Sequence, residues 1–161
     1  MVRINFKEWL GKFEISNLKI KTGILEMDWK PQDEDKTAAW ELYVELLTRI
    51  TTQPLADTHG DEQTALTSVY SIFPTTRDVM KRNGRGCVDF TKIAVIVLNQ
   101  KIRPFTTKWH KLASEGKFTD KGKCEQFRSE LVKLQVELKI YMKMLADIAD
   151  VEDLTELENE T

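Results

Sequence analysis

The densest group of chemically capable side chains lies in one short stretch, Ile102-Arg103-Pro104-Phe105-Thr106-Thr107-Lys108-Trp109-His110. It sets a guanidinium, an ammonium, two hydroxyls, an indole and an imidazole side by side. If the chain after Pro104 is helical, Thr106 and His110 share a face at i, i+4 and Lys108 lies elsewhere. Further cations surround the stretch: Arg77, Lys81, Arg82 and Arg85 before it, Lys101 and Lys111 at its edges, and Lys117, Lys121 and Lys123 after it. With Arg103 and Lys108 they form a candidate face for an anion or a protein partner, because clustered positive charge concentrates phosphates and carboxylates nearby.

Other constellations carry less. Asp57, His59, Asp61 and Glu62 include metal-ligand types, but the group straddles a loop and the acids at 61 and 62 suit a helix start, so no metal site is expected. Asn83-Gly84-Arg85-Gly86 has glycines but lacks the Lys-Ser/Thr of a phosphate loop and follows no strand, which makes it a helix stop with a basic rim. Cys87 and Cys124 are too few for a disulfide scaffold and are read as reduced thiols, Cys124 on an apolar helix stripe. No nucleophile elbow, Cys-His pair or paired catalytic carboxylate is recognisable, and no cofactor is expected.

Charge is unevenly spread beneath a net value of −2. Residues 76–123 hold 12 Lys/Arg against 4 Asp/Glu, residues 1–75 hold 8 against 12, and residues 124–161 hold 4 against 10. The basic middle can face the acidic flanks within the fold, as modest surface pairs. Alternatively it can face an outside partner, nucleic acid or an acidic protein. The acidic end argues against tight nucleic-acid binding, and no helix-turn-helix, zinc-finger or RNP-like motif is present.

The elements that position these groups are mainly helical. The 161 residues, 41% apolar and 31% charged, fit one domain over 1–161. No run is long and apolar enough to span a bilayer and no secretory leader is visible, so a cytoplasmic protein without membrane contact is expected. Leu18, Ile20, Leu25, Met27 and Trp29 alternate with polar residues around Lys21-Thr22-Gly23, which predicts a β-hairpin at 14–30 within a hairpin region 1–31. On so thin an element, Trp9 or Trp29 should stay partly exposed and mark a contact surface.

From Pro31 the period becomes 3.6, and a helical region is expected over 32–150. A first helix at 34–52 turns Trp40, Tyr43, Val44, Leu47 and Ile50 inward and stops at Thr52-Gln53-Pro54. A second, N-capped by Asp61, carries Ala65, Leu66, Val69, Tyr70 and Phe73 and is kinked or split at Pro74. A third at 89–102 is the most apolar, with a further stretch at 104–113 after Pro104. The fourth has an unbroken heptad seam, Cys124, Phe127, Leu131, Leu134, Leu138, Tyr141, Leu145 and Ile148. A second stripe beside it, Val132, Val136, Ile140 and Met144, suits either a wide core face or a subunit contact. The acidic tail 151–161 should fray. The pattern predicts a mainly α protein, an antiparallel four-helix bundle with kinked helices and a small N-terminal β-hairpin.

Six residues separate Arg103 from His110 in such an all-helical chain, which resembles the HEPN group of metal-independent ribonucleases, where an Arg is followed after four to six residues by a His. The resemblance implies that Arg103 holds phosphate and His110 serves acid/base chemistry, the motifs of two subunits meeting across a dimer interface. The residue after Arg103 is proline, and Phe105 stands where the family carries a polar residue. Without catalysis, Phe105 and Trp109 anchor a kinked helix, His110 bonds locally and Arg103 pairs with an acid of the fourth helix.

The resulting expectation is a non-enzymatic interaction or regulatory module. It is a homo-oligomer, a dimer by preference, binding an anionic or protein partner through Arg77, Lys81, Arg82, Arg85, Lys101, Arg103, Lys108 and Lys111. The ribonuclease and a nucleic-acid-binding accessory are the alternatives. In style the chain resembles small accessory components encoded near bacterial mobile-element or defence genes.

Overall fold

The computed structural model describes residues 4–15, 17–49, 53, 55, 61–155 and 157. Helices are α1 (Phe6–Leu10), α2 (Thr22–Leu25), α3 (Asp33–Leu47), α4 (Glu62–Tyr70), α5 (Ile72–Asn83), α6 (Val88–Val97), α7 (Arg103–Ser114) and α8 (Lys121–Ala149). Tight 3-10 turns occupy Gly84–Cys87 and Lys117–Thr119, and a π turn joins α6 to α7 over Leu98–Ile102. Helix makes up 76% of the structure, and no helix among the described residues is long and apolar enough to cross a membrane.

Two of the four prolines, Pro74 and Pro104, shape the architecture. Pro74 has no N–H and its ring would strike the carbonyl four residues back, so the stripe that begins in α4 bends at Ser71 and resumes as α5. Arg49 braces the bend by donating to the Ser71 hydroxyl. Pro104 poses the same problem against Gln100, and the π turn answers it. There the Arg103 N–H reaches back five residues to Leu98 O, widening the helix where the ring must fit. The residues preceding the two prolines meet, the Arg103 guanidinium lying 4.7 Å from the centroid of the Phe73 ring.

α8 is the axis of the core. Phe127, Leu131, Leu134, Leu138, Tyr141, Leu145 and Ile148 are buried along its seam, and Cys124 is half-buried with its thiol donating to Phe118 O at 3.1 Å. The second stripe divides: Met144 is buried and Ile140 half-buried, while Val132 and Val136 are 59% and 57% exposed. α3 packs against α5, α6 and α8. Its inward face is Ala38, Ala39, Leu42, Tyr43 and Leu46, and the small alanines let neighbouring helices approach closely. The expected inward face is therefore corrected. Trp40 and Val44 look outward, Leu47 is half-buried, and Ile50 lies outside the described residues. The helix also stops earlier than expected, at Leu47, whose carbonyl accepts from Gln53 Nε2 at 3.2 Å.

The N-terminal β-hairpin does not form: among the described residues there is one isolated antiparallel bridge, Asn5 with Asp28, and no strand. Gly23, expected at the tip, sits inside the helical turn α2. Phe6 N–H donates to Met27 O and Trp29 N–H to Ile4 O, which folds the region around α1 instead. Trp9 and Trp29 stack at 4.2 Å, and Phe6 stacks on Trp29 at 5.1 Å, so that all three rings are buried, contrary to the expected exposure of an indole. The segment around Lys19 is held against the π turn rather than along a partner strand. Lys19 N–H donates to Gln100 Oε1 and Gln100 Nε2 to Lys19 O, each at 2.7 Å. Val151 to Thr155, the start of the acidic tail, is tied to α3 through Tyr43, whose hydroxyl donates to Asp153 at 3.0 Å and accepts from Leu154 N–H.

The α5 to α6 connection requires glycine at one of its two glycine positions. Gly84 has φ 71° and ψ −157°, a region essentially reserved for glycine, although a Cβ there would meet nothing. At Gly86 a Cβ would crowd only the flexible, exposed Glu34 side chain. Gly84→Ala is expected to cost about 1–3 kcal/mol and Gly86→Ala no more than about 1 kcal/mol, measured by urea unfolding.

Candidate functional site

The basic segment is sorted by the fold into paired and unpaired cations. α7 and the π turn run antiparallel to α8, and Lys108 Nζ lies 2.7 Å from Glu130 while Lys101 Nζ lies 3.7 Å from Glu137. Glu130 also accepts from Trp109 Nε1 at 3.2 Å and Gln126 Nε2 at 2.9 Å. Burial raises its carboxyl, but the Lys108, Gln126 and Trp109 donors outweigh that and hold it below the usual carboxylate range. Arg82 bonds Glu41 of α3, its Nε donating at 2.8 Å. Lys101, Lys108 and Arg82 are thus engaged by the acidic flanks.

Arg77, Lys81, Arg85, Arg103 and Lys111 are exposed and make no ion pair among the described residues. Four of them join into one strip. Phe73, Arg77 and Lys81 follow at i, i+4 and i+8 along α5, and Arg103 of α7 covers Phe73. Arg103 Nε donates to Asn99 Oδ1 at 3.1 Å, and its two terminal nitrogens have no hydrogen bond among the described residues. On α7 the exposed side continues through Thr107 and Lys111, and the helix contains no acid at all. Asp78 is the one acid of α5; it stands one turn before Lys81 and makes no ion pair among the described residues. Arg85 stands apart on its 3-10 turn, next to Gly86 and the acidic start of α3.

Aromatic surface is built into the same strip. Tyr70, 47% exposed, lies 5.6 Å from Phe73 and 5.0 Å from the His110 ring, to which it is inclined at 68°. His110 is half-buried and makes no hydrogen bond among the described residues, so it is not the local cap expected of it. Arg103 and His110 occupy one face of α7, separated by about 10.5 Å of helix rise. Thr106 does not join them: it is buried and its hydroxyl donates to Arg103 O at 3.2 Å. The expected pairing of Arg103 with an acid of α8 is replaced by its contacts with Phe73 and Asn99.

Sequence reading missed Tyr70 and Asn99 as members of this surface. Tyr70 shares an apolar stripe with Ala65, Leu66, Val69 and Phe73; its place at the stripe's edge, and a phenol where the core needs only a hydrocarbon, are the available signals. Asp57 and His59 lie outside the described residues. Asp61 caps α4 through Gln63 N–H at 2.9 Å and Thr64 N–H at 3.2 Å, and Glu62 accepts from Arg128 Nε at 3.0 Å. Among the described residues no group of His, Cys, Asp and Glu could hold a metal ion. Comparison with protein-family models, curated proteins and solved structures finds no match to this chain.

Proposed function

We propose that this chain is a binding module that holds an anionic partner on the strip of Arg77, Lys81, Arg103 and Lys111. The observation that supports it is the sorting of cations. The same segment supplies Arg82, Lys101 and Lys108 to internal pairs, yet leaves these four exposed, on two helices that meet where Arg103 covers Phe73, with no ion pair to any of them among the described residues. Retention on a heparin column tests it. The wild type is expected to be retained at low salt, Arg77→Glu with Lys81→Glu to pass through, and Lys143→Glu, an equal change per site on the exposed side of α8, to behave as wild type. Equal elution of all three would refute the strip.

A second reading, a metal-independent ribonuclease using Arg103 and His110, is favoured by one observation. Both side chains lie on one face of α7, and the imidazole and the terminal guanidinium nitrogens have no hydrogen bond among the described residues. Incubation with mixed RNA in EDTA decides it: cleavage by wild type and not by His110→Ala supports the enzyme, and intact RNA in both leaves the binding module. Self-association rests on Val132 and Val136, exposed one turn apart on α8. A monomer at all concentrations in sedimentation equilibrium would remove that part of the proposal.

A further inference from the structure

The composition of the strip says more about the partner than its charge does. An acidic protein surface needs cations only, whereas here an aromatic ring stands among them with close to half its surface open to solvent. Tyr70 is 5.6 Å from Phe73, the ring that Arg103 covers, and 5.0 Å from His110. Cations that follow a backbone, interleaved with aromatic rings that accept bases, are what a single nucleic-acid strand requires. A duplex offers its phosphates but keeps its bases stacked on one another, so it leaves an aromatic platform unused.

The hydrogen-bonding capacity of the strip agrees with this. Arg103 commits only Nε, to Asn99, and keeps the two terminal nitrogens that grip a phosphate in a fork. Arg77 and Lys81 continue from Phe73 at one-turn intervals of about 5.4 Å. A strand laid along α5 therefore meets a positive charge at each successive turn, with Tyr70 and His110 beside its first one. Thr107, exposed between Arg103 and His110 on α7, adds a hydroxyl within the same surface.

Resting on the anion-binding reading above, we infer that the strip takes single-stranded nucleic acid, one base against Tyr70 and His110 and the neighbouring phosphates on Arg103, Arg77 and Lys81. The test is fluorescence anisotropy with labelled oligo-U and oligo-dT of about 12 nucleotides, a duplex of the same length, and a labelled poly-glutamate peptide. Single strands are expected to bind more tightly than the duplex. Tyr70→Leu, which keeps apolar contact but removes the ring, should weaken them by about 5- to 150-fold, while Tyr70→Phe should bind as wild type. Arg103→Gln should lower the slope of log K against log salt by about 0.7, the value of one single-strand phosphate contact. Circular dichroism confirms that each variant is folded. Poly-glutamate or duplex bound as well as the single strands, or Tyr70→Leu binding single strands like wild type, would overturn this inference and leave the anion-binding module intact. Failure of every polyanion to bind would overturn both.

Discussion

Trp109→Ala is expected to lower the stability of the fold by about 3–5 kcal/mol, the range for removing a large buried aromatic side chain. Trp109 is fully buried. Its ring stacks on Phe118 at 5.9 Å and meets Phe127 edge-on at 5.2 Å, and its Nε1 donates to Glu130 at 3.2 Å. One side chain thus links α7, the turn before α8 and α8 itself, and it is one residue from His110. Against a total stability of about 5–15 kcal/mol for an ordinary domain, this loss leaves little in reserve. Trp109→Phe keeps most of the packing and gives up the hydrogen bond, so it should cost clearly less. Urea unfolding measures both, and a loss below about 1 kcal/mol for the alanine variant would show that the α7 to α8 contact does not depend on this ring.

Asp35→Asn is expected to cost about 1–3 kcal/mol, because it breaks a buried, two-sided cap. One carboxylate oxygen accepts from Gln32 N–H at 2.7 Å at the start of α3, and the other accepts from Phe90 N–H at 2.8 Å in α6. An amide offers one acceptor oxygen, so its NH₂ must face one of these N–H groups. Burial pushes the Asp35 carboxyl above its ordinary 3.8, against the Phe90 and Gln32 donors that lower it, and nearby Asp89 adds to the rise. A raised carboxyl binds its proton more tightly in the folded chain than in the unfolded one. Its contribution to stability is therefore full below pH 3.8 and is lost as pH rises through the folded value. The gap between wild type and Asp35→Asn should be widest at acid pH and narrow as pH rises, as read from urea melts across that interval. A gap that widens with pH would contradict the assignment.

Much of the helical architecture was legible because it rests on periodicity and on two prolines. The α8 seam is apolar at every heptad position and is buried along its length from Phe127. Pro74 and Pro104 announce breaks that local sterics enforce whatever the rest of the chain does. The N-terminal region was misread for an equally physical reason. Alternation at period two reports one buried and one exposed side of an extended chain, and does not say what satisfies its backbone. Here Gln100 pairs with Lys19 across the π turn, and Phe6, Trp9 and Trp29 close on one another, both contacts set by tertiary structure.

The candidate site was legible in part for the same reason. The sequence shows that cations cluster in residues 76–123, but the division between Lys108, which finds Glu130, and Arg103, which finds Phe73, depends on which way each helix turns. A difference of five positions on a 3.6-residue helix puts the two side chains on different faces. Tyr70 was hidden by its membership of an apolar stripe. Trp40 was misplaced on α3 because the buried face runs through Ala38, Ala39, Leu42, Tyr43 and Leu46, and two of its positions are small alanines that a search for large apolar residues passes over.

The measurement that tests the central claim most directly is an NMR titration of the nitrogen-15-labelled protein with a heparin oligosaccharide, following backbone amide shifts residue by residue. Binding on the strip predicts the largest changes in α5 and α7, at Arg77, Lys81, Arg103, His110 and Lys111, with Tyr70 moving beside them and Lys133 and Lys143 of α8 unchanged. Shifts centred on α8, shifts spread evenly over every lysine and arginine, or none at all would contradict it.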